Sequence, residues 1–221
     1  MSQCEIRRFE DVAADGIDVR GHLHVPAKDL GDGLVLTHGA GANCEAALLV
    51  ALAAAFCEAG FTVLRCDLPF RQRRPHGPPV RGSAEHDQQG LRRAVEALRK
   101  IVSGRVFLGG HSYGGRQASM LATSEPRLVP ALLLLSYPLH PPKRPDEMRT
   151  AHFAELRTPA LFVHGSRDGF GTTEEMRTAL KLIPARTELL SVEGAGHELL
   201  TARNRGELPG SVAEAFWEFL S

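Results

Sequence analysis

Three side chains of this sequence have the types and the order needed for nucleophilic catalysis. Ser112 lies in the pattern Gly-His-Ser-Tyr-Gly at positions 110–114, and Asp168 and His197 follow it along the chain. A histidine can accept the proton of a serine hydroxyl and later pass it to a leaving group, while a carboxylate orients the imidazole and stabilises its charged form. The order serine, aspartate, histidine is expected when the serine occupies a sharp strand-to-helix turn. We therefore predict that these three residues form a catalytic triad.

The glycines around the serine have a steric reason. In such a turn the serine adopts a strained backbone conformation, so the residues two positions away, Gly110 and Gly114, must lack side chains. The turn exposes the hydroxyl of Ser112 and directs the first amides of the following helix at the group that is attacked. The same pattern could also bind a phosphate or pack tightly, so its interpretation depends on the elements around it.

Other interpretations of the predicted acid and base stay open at this point. Asp168 could cap the helix that follows it or form an Asx turn, and His197 could be a solvated loop histidine. His111 is a second possible base, although its place in the motif favours packing beside the sheet. Asp67 is a second possible acid, but it precedes the serine in the chain.

Acyl chemistry at Ser112 also needs two N–H donors for the developing oxyanion. We predict that one is the amide of Tyr113, the residue after the nucleophile. The other is predicted to be the amide of Ala40, which follows His38-Gly39 after an apolar run, with Gly41 as the near alternative. The glycines of this segment could instead serve only a tight strand-to-helix turn.

Alternating apolar runs and helical patterns predict the elements that must position these residues. Strands are predicted at 6–9, 17–25, 33–38, 61–67, 105–109, 129–136, 159–164 and 186–192, and helices at 45–59, 83–102, 112–124, 150–156, 173–182 and 211–220. Continuously apolar strands that alternate with helices are typical of a parallel sheet covered on both faces. Ligands bind beyond the carboxyl ends of such strands, where the predicted site residues lie. We expect one α/β domain over residues 1–221.

Two smaller features complete this view. Asp15-Gly16 is a plausible turn between the first two strands. His22 and His24 share the polar face of the second strand, and we expect them to be solvated histidines at the edge of the sheet.

Composition excludes several classes of protein. The 221 residues include 26 Lys and Arg against 26 Asp and Glu, with 43% hydrophobic residues, which favours a soluble globular protein without nucleic acid or an anionic membrane as its main partner. No apolar run approaches the roughly 20 residues of a membrane span. The N-terminus lacks an apolar signal core, so a cytoplasmic location is expected. The four cysteines, Cys4, Cys44, Cys57 and Cys66, are predicted to be reduced thiols without a metal.

Together these motifs resemble those of the α/β-hydrolase superfamily over nearly the whole chain. The resemblance is carried by His38-Gly39-Ala40-Gly41, the motif at 110–114, His164-Gly165 with Asp168, and Gly194-Ala195-Gly196-His197. The chain is similar to the small lidless branch of dienelactone hydrolase-like proteins, although its nucleophile is serine instead of cysteine. The chain is closer still to a family of hydrolase-like proteins whose substrates are poorly defined. That likeness rests on the pairing of His-Gly-Ala-Gly-Ala at 38–42 with Leu68-Pro69-Phe70-Arg71 and the arginine-rich run after it. The resemblance implies an α/β-hydrolase fold with a mostly parallel central sheet and serine hydrolase activity.

Two features bear on the substrate. Only about twenty residues separate the strand ending at Ser136 from the strand starting at Pro159, where larger superfamily members insert a helical cap. We therefore expect no cap domain and an open site.

The polar, proline-rich loop after Asp67 carries Arg71, Arg73 and Arg74, which we predict to bind an anionic part of a substrate. A solvated basic loop is the alternative.

The expected function is cleavage of a small or medium carboxylic ester or thioester through an acyl-Ser112 intermediate, without a metal or an organic cofactor. Amide cleavage is less favoured, and acyl transfer to an alcohol or amine is an alternative within enzymes. A non-catalytic interaction scaffold is the alternative of another class, because a fold does not determine a function. The sequence leaves the oligomeric state open.

Overall fold

A computed structural model describes residues 4–14 and 16–221. Its strands are β1 Glu5–Asp11, β2 Val19–Val25, β3 Gly33–Thr37, β4 Thr62–Cys66, β5 Val106–His111, β6 Leu132–Leu135, β7 Ala160–Gly165 and β8 Thr187–Val192. Its α-helices are α1 Ala47–Glu58, α2 Pro69–Arg73, α3 Ser83–Arg99, α4 Tyr113–Ser124, α5 Thr173–Leu180 and α6 Leu208–Leu220. Asp15, the first residue of the predicted turn, lies outside the described residues.

The eight strands form one sheet in the order β1-β2-β4-β3-β5-β6-β7-β8. The pairs from β4 through β8 are parallel, and β1 and β2 join the sheet in antiparallel pairing. After β3 the chain places β4 on one side of β3 and then β5 on the other. The carboxyl ends of β3 and β5 therefore flank a crevice at which ligands of such sheets bind.

Two apolar layers cover the sheet, one on each face. Leu34, Phe107 and Leu161 pack against α1 and α6 on one face. Val35, Leu108 and Phe162 share the opposite face with residues of α3, α4 and α5. This alternation along each strand buries both faces, which confirms the predicted fold class: a mostly parallel sheet with helices on both faces.

The connections contain no separate cap domain. Between β6 and β7, the predicted helix at 150–156 is a single turn of 3-10 helix, Phe153–Glu155. The predicted loop after Asp67 begins instead with the short helix α2, which starts at Pro69. A proline is compatible with the first helical position because the N–H it lacks would have no partner there. The edge of the sheet formed by the carboxyl ends of the parallel strands is therefore not covered by a helical lid.

The prediction for His24 is wrong. β1 covers the outer side of β2, and the side chain of His24 is completely buried. Its Nε2 accepts a hydrogen bond from Arg65 Nε at 2.8 Å. His22 is half-buried, and its Nδ1 lies 2.8 Å from a carboxylate oxygen of Glu45. β2 is a strand, as predicted, but the face expected to be solvated is covered by α1 and contains a polar network.

The prediction of four reduced cysteines is wrong for two of them. Cys4 and Cys57 form a disulfide with their Cα atoms 6.2 Å apart, while Cys44 and Cys66 are free and buried. The bond joins the residue before β1 to the last turn of α1, elements that the sequence does not show to be adjacent.

The cytoplasmic location stays a prediction. In the described ranges, no helix combines the length and apolar character needed to cross a membrane.

Candidate active site

Ser112 occupies the turn between β5 and α4. Its backbone angles are φ 51° and ψ −115°, a left-handed conformation that is strained for a residue with a side chain. A Cβ atom on Gly110 would lie 2.7 Å from the backbone of Gly114 and Gly115, and one on Gly114 would lie 2.5 Å from the carbonyl oxygen of His38. The two glycines therefore allow strand, turn and helix to approach closely enough to hold Ser112 at the apex.

The structure brings Ser112, His197 and Asp168 into one series of hydrogen bonds. His197 Nδ1 lies 2.8 and 3.0 Å from the two carboxylate oxygens of Asp168, and His197 Nε2 lies 2.7 Å from Ser112 Oγ. Because an ionised carboxylate only accepts hydrogen bonds, Nδ1 carries a proton and donates a hydrogen bond to Asp168. In the neutral ring, Nε2 then accepts the proton of the serine hydroxyl, as a general base must.

Asp168 is buried, and its environment keeps it ionised. Burial alone would raise the pKa of Asp168, but the hydrogen bonds from His197 and from the amide of Phe170 outweigh burial and leave this pKa below its usual value. The amide of Phe170 donates at 2.8 Å, and the ring of Phe170 lies against the imidazole of His197 with centroids 4.2 Å apart. Carboxylate and imidazole are therefore held in place from the same loop.

The second possible acid and base have other contacts. Asp67 accepts the amide of Cys44 at 2.7 Å. His111 is buried, and its Nε2 donates to the backbone carbonyl of His197 at 2.8 Å. Burial lowers the pKa of His111, which favours the neutral ring. His111 thus fixes the main chain of His197, a role that the sequence does not reveal because the two residues are 86 positions apart.

The two predicted oxyanion donors follow the ends of two adjacent strands, β3 and β5. Thr37 at the end of β3 pairs with Gly110 of β5, so the segment after β3 runs beside Ser112. We call residues 39–42 the oxyanion loop, after the role predicted for Ala40. Ala40 lines the cavity next to Ser112, and Tyr113 is the first residue of α4, where helix N–H groups have no intrahelical partner. Both residues therefore lie at the edge of the sheet where Ser112 is placed, and their role as oxyanion donors stays a prediction.

A cavity of about 840 Å³ opens at the triad, within the size range of small-molecule sites. Ser112, His197 and the oxyanion loop form one end of it. Its walls include the apolar side chains of Ala47 and Leu48 at the start of α1. Glu198 and Arg205, from the segment between β8 and α6, also line it. Neither charged residue was predicted, because nothing in the sequence marks this segment as part of the site.

The three predicted substrate-binding arginines do not line this cavity. Arg71 is 5% exposed, and its guanidinium donates to four backbone carbonyl oxygens. Arg73 is exposed and hydrogen-bonds to His86, and Arg74 is exposed at the end of α2. Substrate binding by these arginines stays a prediction. The guanidinium of Arg71 meets backbone carbonyl groups of the protein instead of an open cavity.

One cluster of potential metal ligands lies elsewhere in the described residues. Single donor atoms of His22, Cys44 and Glu45 lie within 4.8 Å of one another. However, the carboxylate of Glu45 is paired with Arg65 at 3.0 Å, so a cation would have to displace a guanidinium. Burial and the neighbouring Asp67 raise the pKa of Cys44 to about 12, which opposes the thiolate that a metal requires. These residues fit a metal poorly.

Comparisons with known proteins agree with this architecture. A family model described as an alpha/beta hydrolase domain matches residues 31–217. Est1E from Butyrivibrio proteoclasticus is 19% identical, with a TM-score of 0.74 over 96% of this chain and 98% of its own. A dienelactone hydrolase from Anabaena variabilis is 20% identical, with a TM-score of 0.76 over 98% of both chains. XC6422 from Xanthomonas campestris, described as an α/β serine hydrolase without a lid, is 16% identical, with a TM-score of 0.71 over 96% of this chain and 95% of its own.

Proposed function

We propose that this chain, which belongs to the alpha/beta hydrolase domain family, is a serine hydrolase that cleaves a small or medium carboxylic ester or thioester. The observation that carries the proposal is the continuous series of hydrogen bonds from Asp168 through His197 to Ser112 beside a cavity of ligand size. A protein that serves only as a scaffold has no physical need of this arrangement.

In the proposed reaction, Ser112 Oγ attacks the carbonyl carbon of the substrate while its proton moves to His197 Nε2. The carbonyl oxygen becomes an oxyanion that accepts hydrogen bonds from the amides of Ala40 and Tyr113. His197 then donates its proton to the leaving alkoxide or thiolate, and the carbon–oxygen or carbon–sulfur bond breaks. A water molecule attacks the acyl-serine by the same route, releasing the acid and restoring the serine hydroxyl.

Labelling with a fluorophosphonate probe tests the proposal. Such a probe reacts with a serine that is activated by its surroundings, so the wild-type protein should be labelled and the Ser112→Ala variant should not. Ser119 provides the matched control, because its Oγ also lies 2.8 Å from a histidine, His152 Nε2, but is completely buried. The Ser119→Ala variant should retain labelling.

The outcome decides between the two classes of function. Labelling that is lost only in Ser112→Ala would justify a screen of short-chain esters and thioesters for turnover. If folded wild-type protein is not labelled, the triad is not active, and the alternative of a non-catalytic interaction scaffold takes precedence.

A further inference from the structure

We propose that Arg71 is a positioning residue for the oxyanion loop, and that catalysis depends on it without any contact between Arg71 and substrate. The inference rests on the proposed function and adds to it the residue that holds the oxyanion donor in place. It also assigns Arg71 a role different from the anion binding that its sequence context predicts.

The guanidinium of Arg71 joins two loops through their backbones. On one side, Nη2 donates to the carbonyl oxygen of Ala40 at 2.8 Å and Nε donates to that of Ala42 at 2.7 Å. On the other side, Nη1 and Nη2 donate to the carbonyl oxygens of Arg74 and Gly77 at 2.9 and 3.0 Å. The fork of a guanidinium is rigid and planar, so these bonds fix the positions of the carbonyl groups relative to α2.

These bonds also determine the direction of amides in the oxyanion loop. In a planar trans peptide, the C=O and the N–H point in opposite directions. The peptide that carries the N–H of Ala40 has the carbonyl of Gly39, which accepts from His38 Nδ1 at 2.8 Å and from the amide of Ala42 at 3.2 Å. The peptide after Ala40 is held by Arg71. Both peptide planes that flank the Cα of Ala40 are therefore anchored.

The hydrogen bonds of the His38 ring are consistent with only one protonation state. Its Nε2 faces the amide of Leu68 at 3.1 Å, which can only donate, and its Nδ1 faces the carbonyl of Gly39, which can only accept. His38 is therefore a neutral ring with the proton on Nδ1. Burial lowers the pKa of His38, which stabilises this neutral form.

The loop needs polar anchors because its own residues provide little packing. Ala40 has a glycine on each side, and glycine is the residue with the greatest backbone freedom. A Cβ atom placed on Gly41 would have no heavy atom within 4 Å, so no surrounding side chain limits that position. Arg71 anchors the peptide on the C-terminal side of Ala40. Without this bond the Cα of Ala40 would be held from one side only, and its N–H would meet the oxyanion less precisely.

The charge of Arg71 reinforces its position. All four of its hydrogen bonds within the described ranges go to neutral carbonyl groups, so its positive charge remains uncompensated by a paired carboxylate. Hydrogen bonds from a charged donor are roughly twice as strong as neutral ones. A buried positive charge directly behind the loop also favours the negative charge that develops in the transition state.

The test compares Arg71→Lys and Arg71→Met with wild type. Kinetics with a neutral p-nitrophenyl ester should show a fall in kcat of about 10-fold for lysine and about 10²-fold for methionine, close to the loss of one oxyanion donor. KM should change by less than about twofold, because an oxyanion forms only after binding. The affinity for a trifluoromethyl ketone, which becomes an oxyanion on Ser112, should fall by the same factor as kcat.

Arg65→Lys is the matched control. Arg65 is another buried arginine that donates to a backbone carbonyl, that of Cys44 at 2.7 Å, but it has no hydrogen bond to residues 39–42. This variant should lower the thermal midpoint while leaving kcat of the folded protein within about twofold of wild type. A merely structural role of Arg71 would produce the same pattern in its own variants.

The outcomes separate this inference from the proposed function. Unlabelled wild-type protein would overturn both. Labelled wild-type protein with unchanged kcat and ketone affinity in folded Arg71→Lys and Arg71→Met would overturn this inference alone. An increase in KM restricted to anionic esters would also overturn it, in favour of substrate binding. If Arg71→Met does not fold by circular dichroism, Arg71→Lys decides.

Discussion

At the residue scale, the direction of each hydrogen bond determines the chemistry of the site. Asp168 accepts from His197 Nδ1, and His197 Nε2 accepts from the hydroxyl of Ser112. The competing acid, Asp67, is occupied by the amide of Cys44. The competing base, His111, donates to the backbone of His197. Each rival that the sequence offers therefore has another partner and lies outside the proposed proton-transfer route.

The position of Arg205 predicts that the enzyme prefers substrates that carry a negative charge. It lines the cavity, and among the ion pairs of the described residues none involves its guanidinium. Arg205→Gln should therefore raise KM about 10-fold for an ester whose acyl chain ends in a carboxylate, which corresponds to about 1.4 kcal/mol, and leave KM for the neutral ester of equal length unchanged. Steady-state kinetics on this pair of esters measures the effect.

Arg203 provides the control for this prediction. It is an exposed arginine two positions away that does not line the cavity. Arg203→Gln should leave both KM values at the wild-type level. Equal increases for the two esters in Arg205→Gln would indicate a change in cavity shape and contradict recognition of charge.

At the element scale, the site depends on how closely three backbones approach one another. β3 and β5 are neighbours in the sheet, and the first turn of α4 passes over the end of β3. The short distance between the Gly114 Cβ position and the carbonyl oxygen of His38 shows that a side chain there would push the helix away from the end of β3, directly before the oxyanion loop. Strand order and glycine position act together to set the geometry.

Gly114→Ala should therefore impair both stability and activity. The added methyl group would lie 2.5 Å from a backbone oxygen, so α4 must shift, and overpacking of this kind costs about 1–3 kcal/mol. We expect a lower thermal midpoint and a fall of at least about 10-fold in the rate of fluorophosphonate labelling, by analogy with loss of an oxyanion donor. Thermal unfolding and labelling time courses measure the two effects.

Gly210 allows a comparison within the same protein. It lies in α6, where an added Cβ would have no heavy atom within 4 Å. Gly210→Ala should stabilise the protein by about 0.5–1 kcal/mol, because alanine is the better helix former, and should not affect labelling. Equal behaviour of the two variants would contradict the steric argument for Gly114.

At the scale of the whole molecule, stability depends on histidines that fold in their neutral form. Burial and then the charge of Arg65 lower the pKa of His24 to about 4. Burial and then the charge of Arg116 lower the pKa of His152 to about 4. In the unfolded chain the pKa of both side chains returns to about 6.5. Between pH 6.5 and about 4 the unfolded state therefore binds more protons than the folded state, and acid favours unfolding.

The free energy of unfolding should consequently fall as the pH decreases from about 6.5 to about 4. The slope should approach about 1.4 kcal/mol per pH unit for each histidine, and the contribution should be fully present above pH 6.5. His152→Gln should remove one such contribution, as measured by urea unfolding at several pH values. The exposed His76 is the control: His76→Gln should leave the slope unchanged, and an equal loss of slope in both variants would contradict this account.

Local patterns were sufficient for much of the fold. Continuous apolar runs predict buried strands regardless of their neighbours, and the glycines around Ser112 indicate a turn that few other residues can form. The family resemblance then implied the lidless sheet that the structure has. Element ends were less accurate: α6 begins at Leu208 instead of at the predicted residue 211, because a proline in the first turn hides the helix start in the sequence.

The sequence by itself determined which residues could form a triad, since residue type and chain order are local properties. Only the tertiary structure decided their surroundings, because contacts between distant segments depend on strand order and helix placement. It buried His24, joined Cys4 to Cys57, and brought Arg205 to the cavity. It also turned the guanidinium of Arg71 toward the carbonyl groups of the oxyanion loop. An arginine pattern shows that positive charge is present, but only packing determines which oxygen atoms it meets.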